Sequence, residues 1–423
     1  MPDSLFARTN PWLRLLSIVA GLGMIVFSLL TIQHFFAANY PVTIFAGSFC
    51  DINTFFNCES SAKSPISQIF GVPIGTFGVM AGALVVLGAL FPSERLTRTN
   101  RSLAPLYALG AVALLLFSVL YHGSVCLLCS GFYVSSWLSL WVFWRAGRTE
   151  DVALGGPWLR PSAAVLATAA VVVGGGAWGM RLYHDARQDA QRGGIATRIV
   201  RQYYALAVVP MPSVISPYYV VKSTERFEDA PVRVIAYEDL LCPDCKLLAE
   251  QFARLETEFT GKLNIVFQFF PLEGKCNDVV AKDLHPGACE LSYIAAHDPA
   301  KFRAIYDEVF ANARDARIPE WRAALARKYG VDAGPTDPRT QEIVRRILST
   351  GAEYDKTSDK YAHGIRSTPT MIINGRMVIG TLPYEQMRAL FQALVDESTA
   401  GTGFIENWVR PADRAKELGP ARK

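Results

Sequence analysis

Eight cysteines stand in the 423-residue chain, at positions 50, 58, 126, 129, 242, 245, 276 and 289. Two pairs, Cys126-Leu-Leu-Cys129 and Cys242-Pro-Asp-Cys245, have Cys-x-x-Cys spacing. On a helix that spacing brings both sulfurs to one face, one turn apart. It suits a reversible disulfide or half of a metal site. Near Cys242 no second Cys-x-x-Cys or His pair offers the other half. Seven residues separate Cys50 and Cys58 in their loop, more than the two to four usual in a structural zinc site. The redox reading is therefore preferred, with four-thiolate zinc as its rival, and no metal is expected.

The soluble pair has the more informative surroundings. Pro231-Val-Arg-Val-Ile-Ala-Tyr237 alternates like a strand, and a helix with an apolar stripe begins at Cys242-Pro-Asp-Cys245. Pro243 suits the first helical position, where no amide hydrogen is needed. Cys242 is thus placed at a helix amino terminus, whose partial positive charge favours the nucleophilic thiolate. Cys245 is placed to resolve the mixed disulfide. Asp244 opposes thiolate formation, so a milder oxidant is expected than with His between the cysteines. Cys276 and Cys289 flank a segment containing His285. A structural disulfide is expected there, because metal binding with His285 would have only three ligands. A third redox pair has no local motif.

The elements that carry these sulfurs fall into two classes. The chain is 51% hydrophobic and only 19% charged, with a net charge of +4. That charge is too mild to indicate nucleic acid. Residues 15–50, 71–91, 102–144 and 161–180 hold no Lys, Arg, Asp or Glu, and after Arg181 charges return. A bilayer core about 30 Å thick needs about 20 apolar helical residues. The 43 uncharged residues between Arg101 and Arg145 make two such spans, turning at His122-Gly123-Ser124. Spans are expected near 13–37, 71–91, 102–121, 125–144 and 161–181. Arg8 and Arg14, then Arg95, Arg98 and Arg101, then Arg145, Arg148 and Arg160 mark the cytoplasmic side, with the amino terminus. The loop 38–70, the 122–124 turn and everything after 181 then face outward. Six cysteines from three distant segments meet on one side. A cleaved signal peptide is the alternative for span one, but its apolar stretch exceeds a 7–15-residue signal core.

Beyond the CPDC helix come a strand, Lys262–Pro271, a largely helical segment over 277–356, Ser367-Thr368-Pro369-Thr370 before another strand, and a closing helix from Pro383 to Glu397. Residues 229–398 resemble a thioredoxin fold with a helical insertion, of the DsbA type. That resemblance implies a cis-proline at Thr368-Pro369 beside the active cysteines. The first 150 residues resemble the vitamin K epoxide reductase family. The match runs through Cys50-Asp-Ile-Asn-Thr-Phe-Phe-Asn-Cys58, Ser64, Phe70-Gly-Val-Pro-Ile-Gly-Thr-Phe-Gly78, Cys126-Leu-Leu-Cys129 and Tyr133. It implies a four-helix bundle around a quinone of ubiquinone or menaquinone type. It also implies that Cys129 faces the quinone, Cys126 exchanges with the loop pair, Ser64 supports and Tyr133 contacts the quinone. On the residues alone, Ser64 reads as a turn cap and Tyr133 as an interfacial tyrosine.

The expected architecture is multi-domain. An all-α transmembrane four-helix bundle (1–150) is followed by a fifth linking span and linker (151–228), an α/β thioredoxin-like domain (229–400) and a tail (401–423). The expected activity oxidises exported proteins with reduced cysteines, or their soluble thiol oxidant, at Cys242/Cys245. Electrons then pass through Cys50/Cys58 and Cys126/Cys129 to quinone. The expected location is the bacterial inner membrane, multi-pass, with the thioredoxin-like domain periplasmic or otherwise extracytoplasmic and the lipid bilayer as a partner. One alternative is a transmembrane reductase carrying electrons outward, which needs thiols on the inner side. The other is a tethered isomerase or chaperone with a redox-inert anchor.

Overall fold

The structure is a computed structural model that describes residues 11–41, 58–91, 93–122, 125–148, 161–190, 194–280, 283–354 and 363–400. Cys50, the turn residues Gly123 and Ser124 and the tail 401–423 lie outside them. The described residues divide into two compact units, one of apolar helices up to Asn39 and from Cys58 to Gln188, the other holding Tyr40, Pro41 and the residues from Asp189 onward.

In the first unit the long helices are α1 (Pro11–Asn39), α2 (Gly75–Leu90), α3 (Glu94–Phe117), α4 (Leu127–Arg148) and α5 (Ala163–Ala190), and a short helix runs Cys58–Ala62. All but α2 are long and apolar enough to cross a membrane. α2 has 16 residues and is shorter than the expected span 71–91. The reason is local. Phe70 and Gly71 adopt positive φ (49° and 79°) and fold Gln68–Ile69 back on Val72–Pro73 as a hairpin. Helix formation waits until Gly75. α3 starts earlier than expected, where the Ser93 hydroxyl caps the Leu96 amide at 3.3 Å.

Helices α1 to α4 close a ring of contacts, α1 on α2 and α4, α3 on α2 and α4. Met24, Ala81, Val85, Ala104 and Phe143 fill the centre. Arg14 donates to the Ala89 carbonyl at 2.8 Å and ties the start of α1 to the end of α2. Outward, α1 and α4 present Leu22, Val26, Leu29, Trp137 and Trp141, a surface suited to lipid. The apolar stretch of α5 is covered by no protein. Both its ends dock, the start through the Ser162 amide to the Thr99 hydroxyl at 3.1 Å, the far end through Arg181 to the Phe70 carbonyl at 3.0 Å and His184 against Phe35.

The second unit is a five-stranded sheet with helices on both faces. Its strands are β1 (Tyr219–Lys222), β2 (Val232–Glu238), β3 (Leu263–Phe269), β4 (Thr370–Ile373) and β5 (Arg376–Ile379), in the order β1-β3-β2-β4-β5. β2 and β3 are parallel, joined through helix α7 (Pro243–Glu258), and the other pairs are antiparallel. β3 is buried along its whole length, as a central strand covered on both faces must be. Four helices between Ala288 and Ser349 form the insertion. Their Phe302 and Tyr306 stack on Phe267 and Phe269 of β3. The closing helix runs Tyr384–Ala400.

The expected linker, 151–228, is corrected at its far end. Ala196–Ala205 is a helix, α6, whose Ile199, Val200 and Tyr203 enter the core of this unit. The Tyr203 hydroxyl donates to the Ile373 carbonyl at 2.6 Å. β1 lies in the same stretch. Both belong to the sheet unit because their apolar side chains have no other core to fill.

Candidate functional site

The register of β2 with β4 builds the site of the sheet unit. Tyr237 pairs with Thr370, so the chain leaving β2 and the chain entering β4 meet at one end of the sheet. The first carries Asp239 to Cys242 and the second Thr368-Pro369. The Thr368–Pro369 peptide is cis, and the Thr368 carbonyl oxygen lies 3.6 Å from Cys242 Sγ. Cys242 takes an extended conformation as the residue before α7, with Pro243 at the first helical position. Cys245 is fully buried one turn on, and the Asp239 amide donates to its sulfur at 3.5 Å. Burial, and then the neighbouring Cys242, push the Cys245 thiol well above its ordinary value. A buried thiol that holds its proton is a poor nucleophile.

Two acidic residues before the CPDC turn escaped the sequence reading. Glu238 is fully buried, and neither carboxyl oxygen has a hydrogen-bond partner among the described residues. Burial pushes its carboxyl well above the usual range, which favours the neutral form. The unfolded chain ionises this group near 4.5, while the folded chain keeps the proton to higher pH. The folded state therefore binds more protons, and stability falls as pH rises above that value. Glu238→Gln removes this loss. Wild-type stability is expected to fall more steeply from pH 5 to pH 8 than that of Glu238→Gln, by at most about 1.4 kcal/mol per pH unit. Parallel thermal melts across that range check it.

Asp239 is also buried. Its carboxylate accepts from the Leu241 amide at 2.7 Å and the Leu272 amide at 2.6 Å. It also meets His285 Nδ1 at 2.6 Å. His285 is thus engaged with a carboxylate. Cys276 and Cys289 form a disulfide, with S–S 1.98 Å and Cα–Cα 6.0 Å.

The helical unit holds a second site. Cys126 and Cys129 lie at the start of α4 with their sulfurs 2.6 Å apart. A cavity opens beside them. Cys58, Ser64, Cys126, Cys129 and Tyr133 all line it. Cys58 exposes no surface, packs on Cys126 and Leu128, and is disulfide-bonded. Ser64 caps the turn Pro65–Ser67, its hydroxyl accepting from the Ile66 amide at 3.4 Å. Residues from α1 also line the cavity, namely Thr31, His34 and Phe35, and α3 adds Leu114 and Phe117. No motif singled these out, since their convergence depends on helix packing. A wall of rings and leucines with a few hydroxyl, thiol and imidazole groups fits a flat apolar molecule with polar edges.

A thioredoxin-fold dithiol beside a cis-proline, in one chain with a membrane-type bundle bearing its own dithiol, defines a thiol–disulfide oxidoreductase. Residues 227–393 match the family described as Thioredoxin, and residues 14–144 match the Vitamin K epoxide reductase family. A probable disulfide bond formation protein D from Bacillus cereus is 32% identical over 36% of this chain and 68% of its own length. Disulfide bond formation protein D from Bacillus subtilis is 22% identical over 38% of this chain and 71% of its own. The solved alpha-DsbA1 of Wolbachia pipientis is 16% identical, covering 46% of this chain and 96% of its own, with a TM-score of 0.31. The chain belongs to the disulfide bond formation protein D family, and joins a vitamin K epoxide reductase family bundle to its thioredoxin-family domain.

Proposed function

We propose that the protein oxidises thiols of exported proteins, or of their soluble thiol oxidant, and delivers the electrons to a membrane quinone. A substrate thiolate attacks Cys242 in the Cys242–Cys245 disulfide, and Cys245 leaves. The second substrate thiol then breaks the mixed disulfide, so the substrate gains a disulfide and CPDC becomes a dithiol. Cys242 next attacks a Cys50–Cys58 disulfide, and the resulting loop dithiol reduces Cys126–Cys129. Thr368 and Pro369 support the first exchange by lying against Cys242. Ser64 supports the turn that follows Cys58.

A quinone of ubiquinone or menaquinone type, when bound, supplies the acceptor for two electrons and two protons. Cys129 and Tyr133 are the residues that would hold it. The observation that carries this reading is the meeting of Cys58, Cys126, Cys129 and Tyr133 at one largely apolar cavity. The arginine bias supports an amino terminus in the cytoplasm and CPDC on the outer side of a bacterial inner membrane.

The test is anaerobic mixing of the purified full chain with a reduced dithiol peptide and a soluble quinone. Quinone absorbance should fall in step with peptide oxidation, one quinone per disulfide formed. Peptide oxidation with no quinone consumed would leave a tethered isomerase, and the quinone reading would be abandoned.

A further inference from the structure

Asp239 touches both cysteines of CPDC through its backbone. Its carbonyl accepts from the Cys242 amide at 3.0 Å, and its amide donates to Cys245 Sγ at 3.5 Å. Whatever fixes Asp239 therefore fixes the geometry of the dithiol. Its carboxylate is fixed from three directions. Leu241, in the same turn, donates at 2.7 Å. Leu272, just past β3, donates at 2.6 Å. His285 Nδ1 stands 2.6 Å from Oδ2, a separation that requires a proton between them.

His285 comes from a distant stretch, and several contacts hold it. The amides of Leu284 and His285 both donate to the Leu272 carbonyl, at 2.9 and 3.1 Å. Glu273 accepts from the amides of Gly287 and Cys289 at 3.1 and 2.9 Å. The Cys276–Cys289 disulfide closes the segment around His285. The covalent bond, the imidazole and the catalytic turn thus form one continuous chain of contacts. Neither the exchange chemistry nor the quinone site uses it.

We propose that His285, held by the Cys276–Cys289 disulfide, is a positioning residue that sets the oxidising strength of the CPDC dithiol through Asp239. In the dithiol the Asp239 amide has a sulfur to donate to, and a thiol or thiolate sulfur accepts better than a disulfide sulfur. Holding Asp239 in place therefore favours the reduced form, which makes CPDC a stronger oxidant. Releasing it shifts the equilibrium toward the disulfide. One hydrogen bond of this kind corresponds to about a threefold to tenfold change in the constant.

The inference rests on CPDC being the working dithiol, and the experiment separates the two. The full chain in detergent is equilibrated with glutathione at several GSH/GSSG ratios. Each CPDC disulfide consumes two GSH and releases one GSSG. After acid trapping and alkylation, mass spectrometry of the Cys242–Cys245 peptide gives the constant. His285→Ala is expected to lower it about threefold to tenfold. His285→Asn, whose amide nitrogen stands in for Nδ1, should stay close to wild type. The Cys276→Ser/Cys289→Ser protein should shift in the same direction, and adding His285→Ala should shift it no further than His285→Ala alone.

An unchanged constant in either His285→Ala or the disulfide-free protein overturns the proposal, as do shifts that simply add. If His285→Ala does not fold, the disulfide-free protein with His285 intact decides. Wild-type CPDC that never equilibrates with glutathione would remove the redox reading itself, and the inference with it.

Discussion

Cys129→Ser is expected to stop quinone consumption while leaving the first exchange intact. Cys126 and Cys129 stand 2.6 Å apart at the mouth of the cavity, so the pair needs little movement to open or close. Without Cys129 no intramolecular disulfide can form there. Electrons that reach Cys126 then have no route onward. Removing one member of a unit that acts together costs nearly as much as removing the unit. Steady-state quinone reduction should fall on the order of 10³-fold or more. The CPDC pair lies in a separate unit and should still oxidise one equivalent of peptide, and a second after passing its electrons to the loop disulfide. Stopped-flow mixing would show a burst of two equivalents of peptide oxidation followed by none. Continued quinone turnover in Cys129→Ser would remove the CLLC pair from the electron path.

Gly82→Val is expected to unfold the helical bundle at markedly lower temperature. α1 and α2 cross at two facing glycines. A Cβ on Gly82 would stand 2.6 Å from the Gly21 carbonyl oxygen and 2.9 Å from Met24 Cβ. A Cβ on Gly21 would stand 2.9 Å from the Gly82 carbonyl oxygen. The obstruction is backbone, which cannot rotate aside, so the helices must part. Overpacking of this kind costs about 1–3 kcal/mol, and a backbone clash belongs at the upper end. Gly110 supplies the control, because a Cβ there meets nothing. Gly110→Ala should be neutral or stabilising by up to about 1 kcal/mol. Thermal unfolding followed by helical circular dichroism would rank the three proteins. Equal melting of Gly82→Val and wild type would contradict the close crossing.

Much of this arrangement was legible in the sequence, and the parts that were not share a cause. The long apolar runs, the strand before CPDC and the Thr-Pro before β4 each speak through local pattern. So does Pro243 at the start of α7. The 68–73 hairpin did not, because its residues sit in an uncharged run that reads as one span. Two positive-φ residues, Phe70 and Gly71, break that run. β1 is four residues set among Pro210, Pro212 and Pro217, too short for periodicity to stand out. The helix Ala196–Ala205 was more accessible, since Ile195, Ile199, Val200 and Tyr203 share one face. The Asp239–His285 pair joins positions 46 residues apart, and nothing in either neighbourhood predicts the other. The α1 and α3 lining of the cavity is likewise a product of packing. Cys50 lies outside the described residues, and its pairing stands as part of the proposed relay.

Cys58 deserves a last consequence, because its sulfur shows no surface to solvent. A thiolate arriving from elsewhere cannot align behind a sulfur that is walled in. Either the incoming nucleophile strikes the opposite half of that bridge, or the short helix Cys58–Ala62 must first swing clear. In the second case the speed limit belongs to a door rather than to sulfur chemistry. Thickening the medium would then slow turnover more than changing the leaving group.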